Sequence, residues 1–220
     1  MAFSSFGDWL GLLATTALAQ QLAGGDYATA NFAIAGVFIA RLLPSVILGP
    51  LAGVIADKFD RKKVMIVGDI LRALLFISIP IVGNYFWLYA ATVLIECVTL
   101  FWSPAKEATV PNLVPKNRLE NANQVSLFAA YGTAPIAAAL FSLLSIFITG
   151  ISTALSLGDN SAVDLALYIN ALSFLFSAFT IFNLEIPKEH LKKPEASASI
   201  ISSLLDGGKF VSSSKIVRGL

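Results

Sequence analysis

Apolar residues run along this chain in six long stretches, separated by short polar breaks. The stretches lie near residues 2–23, 29–56, 64–83, 85–103, 119–157 and 163–185. Most reach the roughly 20 residues that a helix needs to cross a bilayer. The second and fifth exceed one crossing and are expected to tilt or project beyond the membrane. Three of the breaks are turn signals: Gly24-Gly25-Asp26, Gly83-Asn84 and Gly158-Asp159-Asn160. The other three are charged: 57–63, 106–118 and the tail from Pro187. The first stretch is unusual, because Asp8 interrupts it and the run from Trp9 to Ala23 is short for a span. It reaches spanning length only with Ala2 to Asp8, so the chain is expected to begin at or inside its first helix, as a fragment would.

Composition supports lipid as the main solvent. Of 220 residues, 56% are hydrophobic and 13% charged, about half the charged share of a soluble domain. One Cys and one His leave no basis for a disulfide framework or a Cys/His metal cluster. No phosphate-binding loop is present, so ATP hydrolysis is not encoded, and the sequence calls for no cofactor and no nucleic-acid partner. An integral membrane enzyme would need clustered catalytic groups, and a channel a pore-lining ring or re-entrant filter; neither pattern is visible.

The charges set a topology. Thirteen of the fifteen Lys and Arg fall in the three charged connections, and the other two, Arg41 and Arg72, lie inside apolar stretches. By the positive-inside rule the charged connections are cytoplasmic, and so are both termini. The expected compartment is the plasma (inner) membrane. The tail, 187–220, is richer in Lys, Glu, Pro and Ser, with Ile200, Ile201, Leu204 and Leu205 at helical spacing. It reads as a cytoplasmic linker carrying a short amphipathic helix.

The most informative stretch runs from Gly49 to Lys63. Gly49 and Gly53 share a helix face four residues apart, a spacing that allows another helix to approach closely. Asp57 is the next step on that face, and Arg61 lies one further turn on, within ion-pair reach if the turn stays helical. On physics alone this is equally a tight helix interface followed by ordinary basic charge. The stretch resembles the signature loop between helices 2 and 3 of the major facilitator superfamily, with Gly53, Asp57, Arg61 and Lys62 in register and Lys58 for the usual Arg. Phe59-Asp60-Arg61 is similar to the variant in its 12-helix drug-efflux group, which includes macrolide and siderophore exporters. Ser103 to Pro115, Leu119 to Asn123, and Asp69-Ile-Leu-Arg72 resemble other parts of that group. Gly132 and Pro135 stand where exporters carry a Gly-Pro motif in helix 5, although the neighbouring glycines are here Ala134, Ala138 and Ala139.

The resemblance implies an all-α transmembrane fold, the N-terminal six-helix half of a facilitator whose C-terminal half is missing. It implies a secondary transporter rather than an enzyme, exporting a small amphipathic or hydrophobic compound by proton antiport and alternating access. A lysophospholipid flippase, an importer, or an inactive truncated half are the alternatives. The signature loop is expected to stabilise one conformation by contacting the missing half.

Five ionisable residues lie within the spans: Asp8, Arg41, Asp69, Arg72 and Glu96. Each costs about 2.5–3.5 kcal/mol at mid-bilayer, so each should face protein or water. Arg41 and Glu96 fall roughly 18 and 16 Å along their helices, near the midplane. Asp69 and Arg72 are spaced i,i+3 and are expected to pair, with each other or with the signature loop. A desolvated carboxylate readily carries a proton, which makes Glu96, with Asp8 and Arg41, the candidate coupling set. Either Glu96 simply neutralises Arg41, or Asp8 pairs with Arg41 and leaves Glu96 to titrate. The sequence does not choose.

Overall fold

A computed structural model describes residues 2–56, 59–155 and 161–184. Within them the chain forms α1 (Ala2–Leu22), α2 (Tyr27–Ala56), α3 (Arg61–Val82), α4 (Tyr85–Leu113), a 3₁₀ turn (Lys116–Arg118), α5 (Leu119–Tyr131), α6 (Ala134–Leu155) and α7 (Ser161–Phe182). The predicted tail helix and the Gly158 turn lie outside the described residues.

Side-chain caps define several helix starts. The Asp26 carboxylate accepts the Thr29 N–H at 2.8 Å. Asp60 accepts the Lys63 N–H at 3.1 Å, and Asn84 accepts the Trp87 N–H at 2.8 Å. Each answers one of the four backbone donors that a helix N-terminus leaves unpaired. Gly83 ends α3 in the left-handed conformation at φ 60°, and its N–H reaches the Ile79 carbonyl.

Two helices depart from the pattern read along the sequence. α4 does not stop near residue 103; it continues through Pro104 to Leu113 and carries Lys106 as a helical residue rather than a loop residue. The fifth stretch, expected as one segment over 119–157, is two helices. α5 closes at Gly132, whose N–H meets the Phe128 carbonyl at 2.7 Å, and α6 restarts at Ala134. Pro135 falls in the first turn of α6, where a missing N–H costs nothing. The Thr133 carbonyl accepts from Ala137 there.

Among the described residues five segments are long and apolar enough to cross a membrane, with α5 and the first part of α6 counting as one of them. α1 is not among the five, although at 21 residues it is roughly 31 Å long. Packing explains its lower hydropathy. α1 lies against α2, α4, α5, α6 and α7, so most of its surface meets protein instead of lipid. Leu10, Ala14 and Leu18 form a fully packed stripe, joined by Val37, Phe76, Leu167 and Phe174. Small residues set the helix spacing: a Cβ on Gly11 would lie 2.8 Å from the Phe76 ring, and one on Gly36 2.9 Å from the Tyr89 ring.

The outward faces are the reverse of a soluble surface. Phe32, Ile39, Val46 and Ile47 of α2, and Val125, Phe128, Ile146 and Phe147 of α5 and α6, are all exposed. Such continuous apolar area is covered by lipid or by another bundle.

Candidate transport cavity and its charged pairs

The long α4 brings one polar stripe to the bundle interior. Glu96, Thr99, Ser103 and Lys106 recur at three- and four-residue steps, and all four line a cavity of about 300 Å³. α1 supplies Ser5, Asp8 and Trp9 to its wall, and α2 supplies Arg41. The Trp9 indole N–H donates to the Ala130 carbonyl at 2.7 Å, tying α1 to α5 beside the cavity.

Across this cavity Arg41 Nε meets Glu96 Oε1 at 3.0 Å, joining α2 to α4 near mid-helix. The side chains remain 25% and 17% exposed, so the pair is reachable from the cavity. Of the two pairings open on sequence, the structure brings together Arg41 and Glu96.

Asp8 goes elsewhere. Its Oδ1 lies 3.7 Å from Arg72 Nη1, an electrostatic contact beyond hydrogen-bond length. Arg72 also holds Asp69, one turn back on α3, in a direct ion pair with both side chains fully buried. The Arg72 guanidinium is clamped between two rings, 4.4 Å over Trp102 of α4 and 4.3 Å over Phe174 of α7. A planar cation suits such a slot, where an ammonium would not. This one side chain therefore links α1, α3, α4 and α7. Trp102 is 4% exposed and forms one wall of that slot.

Along the signature stretch, Arg61 donates to the Ala108 carbonyl of α4 at 3.2 Å. Lys62 donates to the Phe182 and Leu184 carbonyls at 2.8 Å each. There it satisfies the acceptor-rich C-terminal end of α7. Among the described residues nothing comes within 4 Å of a Cβ placed on Gly49, so no helix of this bundle packs closely there. Gly53 continues α2, and Asp57 lies outside the described residues, as does any contact it makes. Gly132 and Pro135 mark the α5–α6 break and do not line the cavity. Among the described residues no three His, Cys, Asp or Glu side chains converge as a metal-ligand set.

Lys106, Thr99 and Trp102 of α4 are among the cavity residues that the sequence does not single out. Their signal was present as the stripe of α4, but Pro104 reads as a helix terminator.

Apolar spans around a central cavity walled by charged pairs define a multi-pass membrane protein of the transporter class. Comparison with known proteins specifies it. The family described as transmembrane secretion effector matches residues 2–152. The MFS-type transporter YfiS of Bacillus subtilis (strain 168), named as uncharacterised, is 31% identical over 94% of this chain and 46% of its own length. A second uncharacterised MFS-type transporter of that organism, YkuC, is 29% identical over 67% of the chain and 32% of its length. Macrolide efflux protein A of Enterococcus faecalis is 29% identical over 66% and 43%. The chain belongs to the major facilitator superfamily, a family of transporters rather than enzymes. It spans less than half the length of these curated relatives. No solved structure matches it.

Proposed function

We propose that the chain is one six-helix half of a proton-coupled exporter of small amphipathic or hydrophobic compounds, with Glu96 as the coupling carboxylate. The observation that carries this reading is the Arg41–Glu96 pair on the wall of an accessible cavity. A carboxylate that holds a cation can exchange it for a proton; a proton on Glu96 releases Arg41, and the contact between α2 and α4 loosens. Alternating access uses such a step when two bundles rock around a midplane site. The second bundle is a C-terminal six-helix half, which would cover the exposed apolar faces of α2, α5 and α6. The relative named for macrolide efflux supports export as the direction. The protein sits in the inner membrane with both termini in the cytoplasm, and the proton gradient drives it without a further cofactor.

The test is transport by the intact protein in inverted membrane vesicles. Uptake of exported compound should collapse when a protonophore dissipates the gradient. Undiminished uptake would overturn the coupling.

A further inference from the structure

The cavity contains one cation that no carboxylate contacts among the described residues. Its lining carries two carboxylates, Asp8 and Glu96, and two cations, Arg41 and Lys106, with the buried Arg72–Asp69 pair behind Asp8. Glu96 is taken by Arg41, and both aspartates are held by Arg72. Lys106 balances Asp8 only through space, without contacting it. Among the described residues no carboxylate lies within ion-pair distance of it, and its ammonium rests 5.3 Å from the centre of the Trp102 ring. It is half-buried, lines the same cavity as Glu96, and stands ten residues along α4 from it. That offset is roughly 15 Å. Thr99 and Ser103 fill the interval with hydroxyl groups, and Trp9 and Trp102 supply flat apolar walls.

We propose that Lys106 is a recognition group for an anionic function (a carboxylate, sulfonate or phosphate) on the transported compound, whose aromatic or apolar body packs against the indoles. This refines the exporter reading and rests on the cavity being its substrate site. A half-desolvated ammonium with no contacting counter-ion is available to an incoming anion, because no internal ion pair has to break first. Arg72 cannot serve in this way without freeing buried carboxylates, and Arg41 is free only once Glu96 has taken a proton. A purely cationic compound would face Lys106 with a like charge, so the site discriminates by sign as well as by shape.

The experiment measures binding to the intact protein in lipid nanodiscs, with no proton gradient applied. The probes are dansylglycine and its methyl ester, which share a body and differ by one charge. Energy transfer from the protein's tryptophans to the dansyl group reports occupancy, with empty nanodiscs as blank. Wild type should bind the acid about tenfold more tightly than the ester, the scale of one charge-assisted hydrogen bond. Lys106→Met should weaken the acid to the level of the ester and leave the ester unchanged, while Lys106→Arg should keep the preference. Equal binding of acid and ester by wild type, failure of both to bind, or a preference that survives Lys106→Met would each overturn the proposal. Because no gradient is present, loss of proton coupling in transport leaves this result untouched.

Discussion

Two arginines lie inside the bundle, each paired to acid, and their surroundings differ in every other respect. Arg72 is wholly buried, stacked between Trp102 and Phe174, and shared by Asp69 and Asp8. Arg41 has one partner, Glu96, and both remain partly open to the cavity. The first arrangement holds a guanidinium with no exposed surface between two rings. The second can open without disturbing the core. Ion pairs of like composition thus differ according to what encloses them: one fastens four helices, and the other lies open to the cavity, where the proposed coupling would exchange its partner.

The largest effect should come from breaking the enclosed pair. Arg72→Met leaves the buried Asp69 without its cation and Asp8 without its partner on the cavity wall, a loss of about 3–5 kcal/mol. Unfolding of the intact protein in a denaturant titration would measure it. Combining Arg72→Met with Asp8→Asn and Asp69→Asn should recover most of that loss; if the single variant is as stable as wild type, the contrast between the two pairs fails.

Next in size is a change to the spacing that closes the Arg72 side of the bundle. Gly11→Ala places a methyl against the Phe76 ring, which stacks on Phe174 at 5.6 Å. Overpacking of this kind costs about 1–3 kcal/mol, visible in the same titration. Trp102→Leu keeps bulk but removes one face of the slot, and the cation–π share of that loss is about 0.5–2 kcal/mol.

The smallest effect calibrates both. Asp26 caps α2 outside the spans, and the Thr29 hydroxyl and then the Thr29 N–H hold its carboxyl below the usual value of 3.8. A folded-state value below the unfolded one stabilises above the unfolded value and is lost as pH falls through the folded one. Removing the carboxylate with Asp26→Ala should therefore flatten the stability profile slightly below about pH 4 and leave it parallel to wild type at neutral pH. An offset from wild type at neutral pH that persists undiminished at lower pH would contradict the cap.

Much of this was legible in the sequence, and the omissions have physical causes. The turns at Asp26, Asn84 and Asp60 announce themselves through capping chemistry. The i,i+3 spacing of Asp69 and Arg72 brings those two together on any helix. The partner of Asp8 was not legible, because sequence gives depth along a helix but not which helices adjoin. α1 reads as an interrupted span for the same reason: its neighbours are helices, and only the assembled bundle reveals that. Pro104 concealed the far end of α4, and with it Lys106. Proline is a stop signal where water can take over the freed carbonyl, whereas here α4 carries on through it to Leu113. Gly132 and Pro135 were recognised as a motif, yet the stretch around them was read as one continuous segment.

The most direct measurement of the central claim is the pH dependence of transport by Glu96→Gln in proteoliposomes of the intact protein. Export driven by a proton gradient should fall at least about tenfold and lose its pH slope, while gradient-free exchange of substrate across the membrane continues. A variant that keeps the wild-type pH slope would show that the Arg41–Glu96 pair carries no proton.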